Sequence, residues 1–135
     1  MHWIVCLDER DGMAFNHRRQ SSDRLLRRRL LDLVGEGRLW MNGYSAGQFS
    51  GEDAAILVDE DFLRKADDGD CCFIEQGDIA SYADRVTRVT VYRWNRVYPA
   101  DTHFPWDLFP HRCLRSTTQF VGYSHACITE EVYDV

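Results

Sequence analysis

Two residues that could act together chemically, Asp101 and His103, lie in the stretch RVYPADTHFPWDLFP (residues 96–110). A carboxylate can orient an imidazole and fix its tautomer, so this D-x-H spacing is compatible with a metal site or an acid/base pair. The same stretch contains three prolines, and turn hydrogen bonds from Asp101 and Thr102 would make it a stiff crossing between strands. We therefore expect His103 to serve the shape of the chain rather than its chemistry.

The segment HRRQSSDRLLRRR (residues 17–29) concentrates seven basic side chains in a chain whose net charge is −6. Such a segment can bind a phosphate, a nucleotide or an RNA backbone, and we predict Arg18, Arg19 and Arg27 as its anion contacts. The alternative is a solvated helix face that pairs with the acidic residues of 52–70. Because the whole chain is acidic, a confined anionic ligand is favoured over nucleic acid as the partner.

Three acidic residues, Asp8, Glu9 and Asp11, follow the first predicted strand and could collect a divalent cation. Acidic triplets of this kind are more often turns, and the five cysteines include no C-x-x-C pair with which to build a zinc site. Because most of these cysteines lie in apolar segments, we expect them to be reduced core thiols. We therefore predict no metal cofactor.

Length and composition predict one domain over residues 1–135, since the chain has 135 residues of which 44% are hydrophobic. No apolar run approaches the length of a membrane helix, and the N-terminal stretch is unlike a signal peptide. We therefore expect a cytoplasmic protein without a membrane partner. No H-E-x-x-H or G-x-x-x-x-G-K-[ST] pattern is present, so no metallohydrolase or P-loop enzyme is indicated.

Strand and helix patterns alternate along the chain. An amphipathic helix is predicted over residues 22–34, where leucines recur at helical spacing before Gly35 and Gly37. Strands are predicted at 2–8, 38–42, 54–58, 70–75 and 85–94, short helices at 44–49 and 59–66, and two final extended segments at 113–120 and 125–134. This order predicts an α/β fold with a mainly parallel sheet flanked by helices and a C-terminal antiparallel hairpin.

Several of these segments resemble the dihydrofolate reductase family. ADTHFP resembles that family's GDTxFP turn, IVCLDERDGMAFN resembles its first strand and mobile loop, and RLWMNGYSAGQF resembles the strand and helix start that carry its cofactor motif. The resemblance covers nearly the whole chain at low identity and includes one shortened region, between Phe49 and Cys71. It implies a divergent, shortened member with a dihydrofolate reductase-like fold.

The resemblance implies a catalytic role for Asp23, which opens the predicted helix where such reductases have the carboxylate that binds the pterin ring and helps its protonation. A carboxylate at the mouth of an apolar cleft can bind an amino-heterocycle bidentately and take part in proton delivery. The alternative is that Asp23 is a first-turn acid stabilised by the helix dipole.

The resemblance also implies NADPH as cofactor, bound near Gly43, Tyr44, Ser45, Gln76 and Gly77. At the first site the family has Gly-Arg-x-Thr, whereas this chain reads NGYS and has no arginine. At the second site the family has a Gly-Gly pair, whereas this chain reads EQ before the glycine. Side chains and a negative charge there are expected to obstruct a polyanion.

Two functions remain open from the sequence. The first is an NADPH-dependent reductase of a pterin-like heterocycle with eroded cofactor motifs. The second is a non-catalytic binding module that holds a phosphorylated ligand, a nucleotide or RNA through residues 17–29. Both predict a small-molecule or nucleotide-like ligand.

Overall fold

The computed structural model describes all 135 residues. In chain order the elements are β1 (His2–Leu7), β2 (Gly12–Phe15), β3 (Arg18–Arg19), α1 (Arg24–Val34), β4 (Leu39–Met41), α2 (Gly43–Gly47), β5 (Ile56–Val58), α3 (Phe62–Lys65), β6 (Cys71–Phe73), a 3-10 helix (Ala80–Arg85), β7 (Arg88–Arg93), β8 (Thr102–His103), a second 3-10 helix (Trp106–Leu108), β9 (Cys113–Phe120) and β10 (Ile128–Asp134). None of the helices has the length and apolar character needed to cross a membrane.

Seven strands form one sheet in the order β5-β4-β6-β1-β7-β10-β9. The first five run parallel to one another, whereas β10 is antiparallel to both β7 and β9. The central strand β1 pairs with β7 from His2 opposite Arg88 to Leu7 opposite Arg93. The predicted mainly parallel sheet with a C-terminal antiparallel hairpin is confirmed.

Each face of this sheet is covered by an apolar core, and the central strand β1 contributes buried side chains to both cores. Trp3 and Val5 belong to the core that α3 covers. Ile4, between them in sequence, belongs to the opposite core together with Leu26 and Leu30 of α1. The lack of hydrophobic alternation in HWIVCL follows from this burial on two sides.

A second, three-stranded sheet has the order β3-β2-β8 and was not expected from the sequence, which predicted a loop between the first strand and the helix. β2 and β3 form a hairpin whose two loop residues, Asn16 and His17, have φ values of 52° and 59°. Positive φ at both positions is characteristic of the type I′ turns that join antiparallel strands tightly. Strands of four and two residues are too short to produce a detectable hydrophobic period.

The first helix begins at Arg24 because Asp23 caps it: the Asp23 carboxylate accepts the backbone N–H groups of Leu25 and Leu26 at 2.9 and 3.1 Å. It ends at Gly35, whose φ of 60° is favoured in glycine. Only β5 and α3 lie between Phe49 and Cys71, the region that is shortened relative to the family that the sequence resembles.

The Asp23 side chain also connects α1 to the loop between β9 and β10. Its oxygens accept the N–H groups of Tyr123 and Ser124, the Ser124 hydroxyl and Nδ1 of His125, all at 2.9 to 3.2 Å. Gly122 permits this approach, since a Cβ atom there would lie 2.7 Å from Asp23 Oδ2. The Asp23 side chain has no exposed surface, so these donors replace its hydration.

This environment lowers the pKa of Asp23. Burial alone would raise that pKa, but the hydrogen bonds from Tyr123, His125 and Ser124 outweigh burial and hold it well below the usual range. The folded state therefore favours the ionised carboxylate more than the unfolded state does.

We predict that Asp23→Asn lowers the free energy of unfolding by about 2–4 kcal/mol near neutral pH, because an amide nitrogen cannot accept the hydrogen bonds that one carboxylate oxygen accepts. The ionic part of this stabilisation is complete above the unfolded-state pKa of about 4 and is lost as the pH falls through the lower folded-state value. Urea unfolding of wild type and Asp23→Asn at about pH 7 and about pH 3 measures the free energy of unfolding of each protein. The difference between the two free energies should be smaller at about pH 3. Asp32→Asn, at an exposed position of α1, should change stability little at either pH, and a pH-independent difference for Asp23→Asn would contradict the prediction.

Candidate functional site

Ser21, His125 and Asp23 form a hydrogen-bonded series at the start of α1, here called the Ser21–His125–Asp23 cluster. His125 Nδ1 lies 2.9 Å from Asp23 Oδ2, and His125 Nε2 lies 2.9 Å from Ser21 Oγ. An ionised carboxylate can only accept, so Nδ1 carries the proton, and in the neutral imidazole Nε2 is the acceptor for the Ser21 hydroxyl. The Trp94 ring packs against the imidazole with 4.6 Å between ring centres and restricts its plane. The cluster thus joins a hydroxyl, a base and a carboxylate that orients the base.

The resemblance implied that Asp23 binds and protonates a pterin ring, which requires carboxylate oxygens that are free to accept hydrogen bonds from the ligand. In this structure the residue caps α1 and accepts six hydrogen bonds, four of them from residues 123–125. A heterocycle that bound Asp23 bidentately would have to displace donors of that loop. Binding and protonation of a pterin by Asp23 therefore stays a prediction, and the visible contacts are those of a helix cap and of a histidine partner.

Glu75, two residues after the end of β6, contacts several residues that were predicted to hold a cofactor or an anion. Its carboxylate accepts Arg19 Nε at 2.8 Å, Arg19 Nη2 at 3.1 Å, the Ser45 hydroxyl at 2.8 Å and the Gln48 amide at 3.1 Å. The Arg19 guanidinium also lies 4.3 Å from the centre of the Tyr44 ring. We call these residues the Glu75 network. It fastens the β2–β3 hairpin to α2, and it already uses the Ser45 hydroxyl and the Arg19 charge.

Other predicted cofactor residues, Gln76 and Gly77, line a cleft of about 170 Å³, here called the acidic cleft. Its charged lining residues are Glu60, Asp61, Asp78 and Arg64. The N–H of Gly43, at the start of α2, donates to Glu60 Oε2 at 2.9 Å. That donor is thus already bound to a carboxylate, and three acids against one arginine disfavour a pyrophosphate in this cleft.

A groove of about 300 Å³ with the opposite charge lies along the β2–β3 hairpin and is here called the hairpin groove. Its lining residues are Phe15, Asn16, Arg18, Arg19, Gln20, Tyr98 and Pro99. Arg18 is exposed and has no acidic partner, whereas Arg19 is paired with Glu75. The Gln20 side-chain oxygen is buried and accepts no hydrogen bond.

The three arginines predicted as anion contacts do not share one surface. Arg18 and Arg19 line the hairpin groove, and Arg27 does not. Arg27 lies on α1 with its Nε 3.9 Å from Glu52, within the acidic region that was the alternative partner of this helix face.

The remaining sequence candidates have structural partners. Asp101 accepts a backbone N–H of the hairpin loop at 3.0 Å, and no hydrogen bond joins it to the exposed His103. Asp8 accepts backbone N–H groups of its own turn, and Asp11 pairs with Arg93 at 2.6 Å. No group of three or more His, Cys, Asp or Glu side chains is arranged to hold a metal ion.

Sequence reasoning missed His125 and did not foresee the pairing of Glu75 with Arg19. His125 lies 102 positions from Asp23, and Glu75 lies 56 positions from Arg19. Neither pair has a local signature, so only the folded chain reveals them. The nearest available signal was the short S-x-D spacing of Ser21 and Asp23 at a helix start.

No protein-family model matches the chain, and no curated protein matches it in sequence. Among solved structures it is similar to dihydrofolate reductase from Enterococcus faecalis, complexed with NADP(H) and RAB-propyl, with a TM-score of 0.66 and 14% sequence identity. The match covers 98% of this chain and 94% of the reductase chain. At that identity the similarity concerns the fold alone, so the chain has a dihydrofolate reductase-like fold.

Proposed function

We propose that this protein binds a small aromatic anion, such as a nucleotide-like monophosphate, in the hairpin groove. The observation that carries the proposal is the lining of that groove: it contains an arginine without an acidic partner and two aromatic rings, and it contains no carboxylate. The acidic cleft, by contrast, is lined by three carboxylates.

Arg18 supplies the anion contact. It lies opposite Phe15 at the closed end of the β2–β3 hairpin, where its guanidinium is exposed. A guanidinium forms charge-assisted, bidentate hydrogen bonds with phosphate or carboxylate oxygens. Arg19 contributes less net charge to the groove, because Glu75 neutralises it.

The aromatic part of the ligand is recognised by Phe15, Tyr98 and Gln20. Phe15 is 50% exposed, so its ring is accessible to a ligand in the groove. Stacking of a base on an aromatic side chain contributes roughly 1–3 kcal/mol. Gln20 also lines the groove, and its amide nitrogen is held by Asp8 at 3.0 Å.

The dimensions of the groove and the charge of the chain favour a small ligand over a nucleic acid. A volume of about 300 Å³ is at the lower end of the range for small-molecule sites. A net charge of −6 would repel an extended polyphosphate backbone. The fold is compatible with such a ligand, since the similar reductase was solved in complex with small molecules.

The proposal includes no hydride transfer. Glu75 binds Ser45 and Arg19, and carboxylates line the acidic cleft, so the residues predicted to hold NADPH do not suit its phosphates. The fold still supports the alternative, a reductase, and experiment can distinguish that function from the binding proposed here.

We predict that a purine monophosphate raises the melting temperature of the wild-type protein, whereas the nucleoside and inorganic phosphate alone each raise it less. At about 100 times the dissociation constant, a ligand adds roughly 2.7 kcal/mol, or roughly 10 °C for a domain of this size. Arg18→Ala should weaken binding about tenfold or more, because it removes the anion contact. Titrations followed by thermal shift and calorimetry measure these affinities.

The matched control is Arg28→Ala, which removes the same charge from an exposed position of α1 outside the groove. It should leave the affinity within about twofold of wild type apart from general electrostatics. Equal losses of monophosphate affinity in Arg18→Ala and Arg28→Ala, or stabilisation by none of the three ligands, would contradict binding in the hairpin groove.

We also predict that NADPH stabilises the wild type no more than the monophosphate does and is not oxidised in the presence of dihydrofolate. NADPH binding that persists in Arg18→Ala, together with turnover that is lost in correctly folded Asp23→Asn, would contradict our proposal. That result would instead support a reductase that uses the acidic cleft.

A further inference from the structure

In the Ser21–His125–Asp23 cluster, the capping of α1 by Asp23 does not require the contacts that His125 makes with Asp23 and Ser21. Asp23 is already saturated by backbone and hydroxyl donors as a helix cap, yet it also fixes the tautomer of His125. The opposite ring nitrogen of His125 is then directed at a serine hydroxyl at 2.9 Å. A nucleophile within hydrogen-bond reach of a base, with the base oriented by a third group, is the arrangement of an activated nucleophile.

We infer that Ser21 is a nucleophile toward small esters, with His125 as its general base and Asp23 as the residue that positions His125. The inference goes beyond the binding proposed above and does not depend on it, because it rests on the cluster itself. No G-x-S-x-G turn surrounds Ser21. The constellation is therefore recognised by geometry and not by a sequence pattern.

Accessibility supports this role. Ser21 is partly exposed, whereas the His125 side chain is only 8% exposed, so solvent and substrate can reach the hydroxyl while the base remains sheltered. Two residues of the hairpin groove lie beside the cluster: Gln20 precedes Ser21, and the Tyr98 hydroxyl lies 3.5 Å from His125 Nε2. An aryl or heteroaryl ester in that groove would therefore have its acyl group near Ser21.

The reaction follows from the positions of the protons. Ser21 Oγ attacks the ester carbonyl carbon while its proton moves to His125 Nε2, and the new Oγ–C bond forms. The bond from that carbon to the leaving oxygen then breaks, and His125 returns the proton to the leaving alcohol or phenol. Water, deprotonated by His125, attacks the acyl-serine and releases the acid and the free hydroxyl. The N–H of Ser22 donates no hydrogen bond within the chain and is available to the carbonyl oxygen as it gains charge.

An alkyl fluorophosphonate tests the nucleophile, because Ser21 Oγ displaces fluoride from phosphorus and keeps the phosphonyl group. Intact-protein and peptide mass spectrometry should find one phosphonyl group, on Ser21. Hydrolysis of p-nitrophenyl acetate should follow the same residue. Ser21→Ala should abolish both signals, and His125→Gln should slow both at least about 100-fold, the usual range for the loss of a positioned base.

Ser50→Ala is the matched control, since it removes an exposed serine hydroxyl outside the Ser21–His125–Asp23 cluster. It should be labelled like wild type. The uncharged probe reports on the nucleophile and the monophosphate titration reports on anion binding, so failure of the one and failure of the other are distinguishable. For the positioning role, Asp23→Asn at a temperature where circular dichroism shows it folded should lower the maximal labelling rate. The probe concentration at half that rate should not change.

Some results would overturn the inference. These are labelling on Ser22 or on a cysteine in place of Ser21, labelling of Ser21 at the rate of an unstructured serine peptide, or equal rates in wild type and His125→Gln. Each would leave the cluster as a helix cap with an attached histidine.

Discussion

Buried carboxylates can be accommodated only where enough donors replace the water they lose, and this requirement organises the loops of the protein. Asp8, Asp23, Glu75 and Glu130 are each less than 9% exposed. Asp8 accepts the N–H of Tyr98, and Glu130 accepts the Arg29 guanidinium. Each acid thus joins segments that are distant in sequence. These polar contacts add to the apolar packing of loop residues such as Phe104 and Phe109.

The same carboxylates determine which ligands the surface can accept. Glu75 fastens the hairpin to α2 and occupies the donors of Ser45 and Arg19, while Glu60 occupies the N–H of Gly43. The Arg18 charge, which no carboxylate neutralises, lies in the hairpin groove. A fold shared with a reductase can therefore present a different binding surface when the residues of its sites differ, since function depends on the residues of a site more than on the fold that carries them.

Much of the architecture was predictable from local patterns. The continuous apolar run of β1, the helical leucine spacing of α1 and the two extended segments at the C-terminus each leave a recognisable pattern in the sequence, and the observed sheet agrees with these patterns. The second sheet produces none, since β3 consists of only Arg18 and Arg19. The Ser21–His125–Asp23 cluster was also beyond prediction, because its histidine and its aspartate meet only when the β9–β10 loop folds onto α1.

The central position of β1 has a consequence for biosynthesis. The strand HWIVCL is synthesised well before its two partners, which lie at residues 71–73 and 88–93. The strand must therefore stay unpaired until these partners have been made, and its part of the sheet forms only through contacts of high sequence separation. Such topologies fold slowly and expose an aggregation-prone segment meanwhile, so the nascent chain is expected to depend on chaperones more than its small size suggests.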